Sequence, residues 1–232
     1  MTLCQHGAHY RAMSYIADRR QEEKDRRRSE IVDAAESLYR ELGWEAVTMD
    51  AVARKARLSR ALVYVYFKDK SELLLAITER AMEVLRTRFT EAGTRARMGI
   101  DQIEAMGRAY MAYGMEFPHY FDACARLELR APESSSERGS IEDAVLEMGR
   151  RVHEVVVTSL EAGQRDGSIR ADVGDLNVTS RVLWGFTHGL TQIAITKARP
   201  LADAGISVTQ LTQQAIEMIR YTLAGTGRAS AG

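Results

Sequence analysis

Between Thr48 and Lys70 the chain gathers side chains suited to holding a polyanion and reading the edges of bases. Arg60 can donate a bidentate pair of hydrogen bonds to guanine, and Ala61 and Leu62 can offer apolar contact to a thymine methyl, with Tyr64 beside them. Thr48, Ser59, Tyr66 and Lys70 lie at or near helix starts, where hydroxyls, exposed amide hydrogens and a cation hold phosphate. Phosphate contacts set register and base contacts supply specificity. The same residues also fit a plainer structure, a helical hairpin whose Tyr64 and Tyr66 are partly buried and whose Arg and Lys form a solvated face.

Two short helices must carry these groups. Thr48 is an N-cap ahead of Val52, Ala53 and Ala56, and Ser59 is a second N-cap after a tight three-residue turn. Val52, Ala53, Ala56, Leu58, Val63 and Phe67 are expected to pack a small core, which leaves Arg60, Ala61, Leu62 and Tyr64 outward. Upstream, a helix from Arg26 repeats Ile31, Ala35, Leu38 and Leu42 at helical spacing and meets Gly43, a residue suited to a left-handed C-terminal cap. This is helix-turn-helix geometry, in which the first helix of the pair crosses the backbone and the second enters the major groove of duplex DNA. The Lys24 to Arg28 run either touches phosphate or is a solvated helix start.

From Thr48 to Leu73 the chain reads Thr-x-x-x-Val-Ala-x-x-Ala-x-Leu-Ser-x-Ala-x-Val-Tyr-x-Tyr-Phe-x-x-Lys-x-Glu-Leu, which resembles the DNA-binding signature of TetR/AcrR regulators. With the preceding helix the resemblance covers about residues 30 to 75. It implies a homodimeric, sequence-specific transcriptional regulator on a double-stranded operator with an inverted repeat, commonly a repressor. In that family an effector in the second domain tilts a connector helix and changes the distance between recognition helices. Two positions depart from the pattern: Arg57 stands where the family usually has a turn glycine, and Ala61 replaces a frequent glycine.

The rest of the chain reads as helices. A connector runs from about Asp69 through Leu73, Leu74, Ile77, Ala81, Val84 and Leu85, and others cover about 100–116, 119–129, 141–165, 176–196 and 208–223. Phe117-Pro118, Pro132 to Gly139, Asp166-Gly167 and Arg199-Pro200 to Gly205 read as the breaks between them. Residues 176–196 are apolar on nearly every face, with Gly185 and Gly189 four apart, and Val208, Leu211, Ala215, Ile219 and Leu223 form a second stripe. Two such helices per subunit would build an intermolecular four-helix bundle, as the last two do in the TetR family, or else complete the monomer core. Met106, Tyr110, Tyr113, Phe117, Tyr120, Phe121, Cys124, Trp184 and His188 are either a pocket for a small hydrophobic effector or ordinary core.

The expected fold is all-α: a flexible arm over 1–23, a three-helix DNA-binding domain over 24–72, and a larger helical effector-binding and dimerisation domain over 73–232. Met13 offers an alternative start, with residues 1–12 then an upstream extension. The 32 basic and 32 acidic residues balance, with residues 1–90 slightly basic at 17 against 14. No GxGxxG, GxxxxGK, HExxH or GxSxG pattern is present, so neither catalysis nor a cofactor is expected. Cys4, His6 and His9 are too few for a closed metal site, and two distant cysteines without a CxxC pair suit a reducing cytoplasm. No run is long and apolar enough to span a bilayer, and no membrane partner is expected. The competing reading is an architectural DNA binder with the same helices and a filled core.

Overall fold

The structure is a computed structural model that describes residues 3–128 and 140–225. Among them are ten α-helices, one 3-10 turn and no strand, only an isolated antiparallel bridge between Ile169 and Ala224. The chain divides into two compact units, residues 1–77 and 78–232. The expected loop at Pro132 to Gly139 lies outside the described residues, as do the side chains of Cys4, His6 and His9.

In the first unit, α1 (Leu3–Leu42) is followed by a 3-10 turn (Trp44–Ala46), α2 (Met49–Ala56), α3 (Arg60–Tyr66) and the start of α4 (Lys70–Thr94). Within the stretch expected to be a flexible arm, residues 3–23 belong to helix α1. No proline interrupts this stretch, and side chains three or four residues apart tie successive turns together: Gln21 to Asp25 at 2.8 Å, Arg27 to Glu23 at 3.0 Å and Arg27 to Glu30 at 2.9 Å. These pairs lie between residues 21 and 30, a stretch whose charged side chains show no hydrophobic period. Further along, Ile31, Ala35, Leu38 and Tyr39 are buried. Leu42, expected inward, is 61 % exposed because it ends the helix beside Gly43, whose φ of 80° turns the chain. Trp44, Val47, Met49, Val52, Ala53, Val63, Phe67 and Leu73 are buried as well, while Ala56 and Leu58, also expected in the core, are only half-buried.

The second unit holds the remainder of α4 with α5 (Gly99–Glu116), α6 (Pro118–Glu128), α7 (Ser140–Asp166), α8 (Leu176–Thr196), α9 (Ala198–Asp203) and α10 (Val208–Leu223). Its centre is Ile100, Ile103, Leu160, Ile169, Ile216, Ile219 and Leu223, with Leu183 and Phe186 packed against them. The start of α5 is pinned from α7 and the loop after it: Asp166 Oδ2 accepts from the Gly99 amide at 2.8 Å and Ser168 Oγ from the Ile100 amide at 3.1 Å. The expected loop around Pro200 is a short helix, because a proline in a first turn lacks only an amide hydrogen that the helix would not use.

Helix α8 has two apolar sides. Thr187, Thr191 and Ala194 are buried, yet Val178, Val182, Gly185, Gly189 and Ile193 lie along the opposite, exposed side. A methyl group added at Gly185 or Gly189 would meet nothing within 4 Å. On α10, Ala215, Ile219 and Leu223 of the expected apolar stripe are buried in the unit's own core, and Met218 and Tyr221 are exposed. Of the two alternatives for this stripe, these three residues take the monomer core, a choice that apolar spacing alone does not make.

Candidate nucleic-acid interface

Both short helices begin as their sequences require. Thr48 Oγ1 accepts from the Ala51 amide and Ser59 Oγ from the Leu62 amide, each at 3.1 Å. Each hydroxyl keeps its own proton, so a cap can still donate to phosphate. Between the helices Arg57 adopts φ 57° and ψ 39°, the left-handed conformation. The Leu58 amide donates to the Ala53 carbonyl at 2.9 Å and the Arg57 amide to the Arg54 carbonyl at 3.2 Å, closing α2 in the manner of a glycine-terminated helix. The turn therefore does impose the backbone that glycine takes freely, and Arg57 adopts it.

Arg60, Ala61 and Tyr64 share the exposed face of α3, while Val63 and Phe67 point into the core. Leu62, expected fully outward, is half-buried and divides its surface between core and solvent. Val65 is 76 % exposed and was given no role in the sequence reading, where a β-branched residue in an apolar run suggests core. Its spacing four residues after Ala61 was the available signal. The Arg60 guanidinium lies over the Tyr64 ring, 5.5 Å from its centre, with Nη2 3.5 Å from the Tyr64 hydroxyl and Nε 3.0 Å from Asp50 Oδ1. The Tyr64 hydroxyl first, then the Asp50 carboxylate, raises the Arg60 pKa further above its ordinary value, so the cation persists at every working pH.

Thr48 is exposed, and Tyr66 and Lys70 are half-buried at the far end of α3 and the start of α4. The Lys70 ammonium sits 4.7 Å from the centre of the Trp44 ring and 3.4 Å from the Glu45 carbonyl. Arg28 covers Phe67 at 5.4 Å. The predicted set thus gathers at α3 for Ser59, Arg60, Ala61 and Tyr64, with Thr48 on the preceding helix. The arrangement offers an arginine fork, a phenol and small apolar surface on a helix narrow enough for the major groove.

The predicted effector residues pack against one another. Met106, Tyr110, Tyr113, Tyr120 and Phe121 are buried, Phe117, Cys124 and His188 half-buried, and Trp184 more exposed. Tyr110 meets Phe121 edge-on at 6.3 Å, Phe121 stacks on His188 at 4.5 Å, and His188 contacts Trp184 at 5.5 Å. Tyr110 Oη and His188 Nδ1 are 2.8 Å apart, and Tyr113 donates to the Ala81 carbonyl at 2.9 Å. An open groove of about 640 Å³ lies among α4, α5 and α7, bounded by Arg86, Thr90, Gln102, Arg151, Glu154 and Thr158. Of the predicted effector residues only Met106 borders it, and its lining is more polar than the expected pocket.

Comparison with known proteins places both units. Residues 31–77 match the sequence profile described as bacterial regulatory proteins, tetR family, and residues 103–220 match a tetracyclin repressor-like C-terminal domain. An uncharacterized HTH-type transcriptional regulator of Bacillus subtilis, YhgD, is 25 % identical over 146 residues, 62 % of this chain and 72 % of the relative. A tetR-family regulatory protein from Rhodococcus RHA1 superimposes with a TM-score of 0.64 at 17 % identity, covering 87 % of this chain and 98 % of that one. The fatty acid degradation regulator FadR of Bacillus halodurans gives 0.63 at 16 % identity, covering 84 % and 94 %. Among the described residues no helix is long and apolar enough to cross a membrane.

Proposed function

Because the chain belongs to the TetR family of bacterial regulatory proteins and is a DNA-binding transcriptional regulator, we propose that it is a homodimeric repressor that reads an inverted-repeat operator through α3 and leaves it when an effector binds. The exposed face shared by Arg60, Ala61 and Tyr64, set between two capped helices, carries this reading. Arg60 and Tyr64 face the bases; Thr48, Ser59, Tyr66 and Lys70 hold phosphate. Support for the dimer comes from the outward side of α8, where Val178, Val182 and Ile193 flank two glycines that leave room for a second helix. No catalytic role is assigned to any residue.

Effector release is a two-state equilibrium biased by a ligand that prefers the form unable to hold DNA. The groove beside Met106 is the proposed entry: the Met106 tip lies against Gly93, where a methyl group would come within 2.9 Å of it, and a flexible thioether there can move aside. The contacts among Tyr110, Phe121 and His188 favour a second reading, a regulator blind to effectors, in which these rings serve as core. Thermal-shift screening against apolar and polar compounds decides between the two, since any ligand that raises the melting temperature and releases DNA excludes the second.

The DNA reading is tested with duplexes enriched from a randomised pool by the full chain. Tyr64→Ala and Lys70→Ala both weaken binding, and the Lys70 variant does so nearly equally on all sequences and lowers the salt slope by about one, as loss of a phosphate contact requires. A footprint untouched by either substitution removes α3 from the interface.

A further inference from the structure

Asp50 stands in the first turn of α2 and reaches across to α3, where its Oδ1 lies 3.0 Å from Arg60 Nε. The guanidinium is bounded again by the Tyr64 ring, so two elements fix one flexible side chain. Asp50 and Arg60 are 56 % and 63 % exposed, and a pair so open to water contributes little to stability. Its effect is on conformation, because arginine carries a large rotamer entropy that is lost when it seats on a base. The carboxylate occupies the Nε edge of the guanidinium, which leaves the terminal nitrogens, with Nη2 3.5 Å from the Tyr64 hydroxyl, as the edge available to a base.

We propose that Asp50 is a positioning residue for base reading, holding Arg60 with its terminal nitrogens toward the groove and, by its own negative charge near the phosphates, disfavouring complexes in which Arg60 has no base to bind. The inference rests on α3 being the reading helix. Removing the carboxylate then acts in opposite senses on two kinds of DNA. It loosens the specific complex, where orientation matters, and leaves the non-specific complex unharmed or tighter, where only charge matters.

The experiment uses the full chain, a duplex enriched by the wild-type protein from a randomised pool, and a scrambled duplex of equal length. Asp50→Asn and Asp50→Ala are expected to lower the ratio of enriched to scrambled affinity by about tenfold, within the range of one bidentate base contact. Binding to the scrambled duplex stays equal or rises, and the Asp50→Ala/Arg60→Ala pair is no less selective than Arg60→Ala alone. Asp50→Asn keeps the shape of the side chain, and circular dichroism confirms that both variants retain their helix content. Equal losses on both duplexes, or additive losses in the double variant, overturn the proposal while leaving α3 as the reading helix. A wild-type chain that enriches no sequence overturns the reading helix and this inference with it.

Discussion

Arg57 shows what one residue can hide and what it can reveal. It is the one non-glycine residue with positive φ among those described, and holding an L-residue there costs about 1–2 kcal/mol. Arg57→Gly is therefore expected to raise stability by about 1 kcal/mol after the extra freedom of the unfolded glycine is counted, a gain of roughly 2–4 °C in melting temperature for a chain of this size. Arg57→Ala keeps the strain and gives no such gain; calorimetry on both separates backbone from side chain. At two half-buried histidines, His153 and His188, the relevant variable is pH. Burial lowers the pKa of His188, and burial followed by the Arg181 charge lowers that of His153, both below the ordinary value of 6.5. The unfolded chain then takes up protons first, so stability is complete above about pH 6.5 and declines as pH falls below it. His188→Gln is expected to flatten the decline in melting temperature between about pH 7 and 5, measured against wild type. The identity of the titrating groups could be read in the sequence, but not their burial, which belongs to helices distant along the chain.

Among the elements, those whose ends carry local signals were legible. Thr48 and Ser59 cap α2 and α3, because a short polar side chain satisfies its own helix wherever the rest of the fold lies. Elements decided by contacts remote in sequence were not. Gly99 is an example: a methyl group there would fall 2.1 Å from the Gly163 amide nitrogen, so α5 and α7 cross backbone to backbone, and nothing near Gly99 in the sequence announces it. Gly99→Ala must push one helix off the other and is expected to cost about 2–4 kcal/mol, near or above the usual range for overpacking, read from the urea midpoint. The α10 stripe stayed open between dimer and monomer core for the related reason that the cover of Ala215, Ile219 and Leu223 comes from elsewhere in the chain.

For the whole molecule, the exposed side of α8 gives the decisive test of assembly. Val182→Asp places a charge on the apolar stripe, and sedimentation is expected to show a monomer with melting behaviour nearly unchanged, because Val182 is 63 % exposed in the single chain. That monomer should retain only the weak binding of one half-site. A dimer that persists with the charge in place moves the interface elsewhere. The all-helical class and the three-helix reader were legible because composition, caps and a long motif agreed. Whether the cluster around Tyr110 and His188 is a pocket or a core was not, because aromatic and Met residues line both. Finally, the middle of α1 carries exposed and half-buried pairs among Glu23, Arg26, Arg27 and Glu30, which dissolved ions weaken. Brine that strips a regulator from its operator will also fray this helix, so a titration of binding carries a conformational signal within it, and far-ultraviolet ellipticity recorded across the same series separates the two.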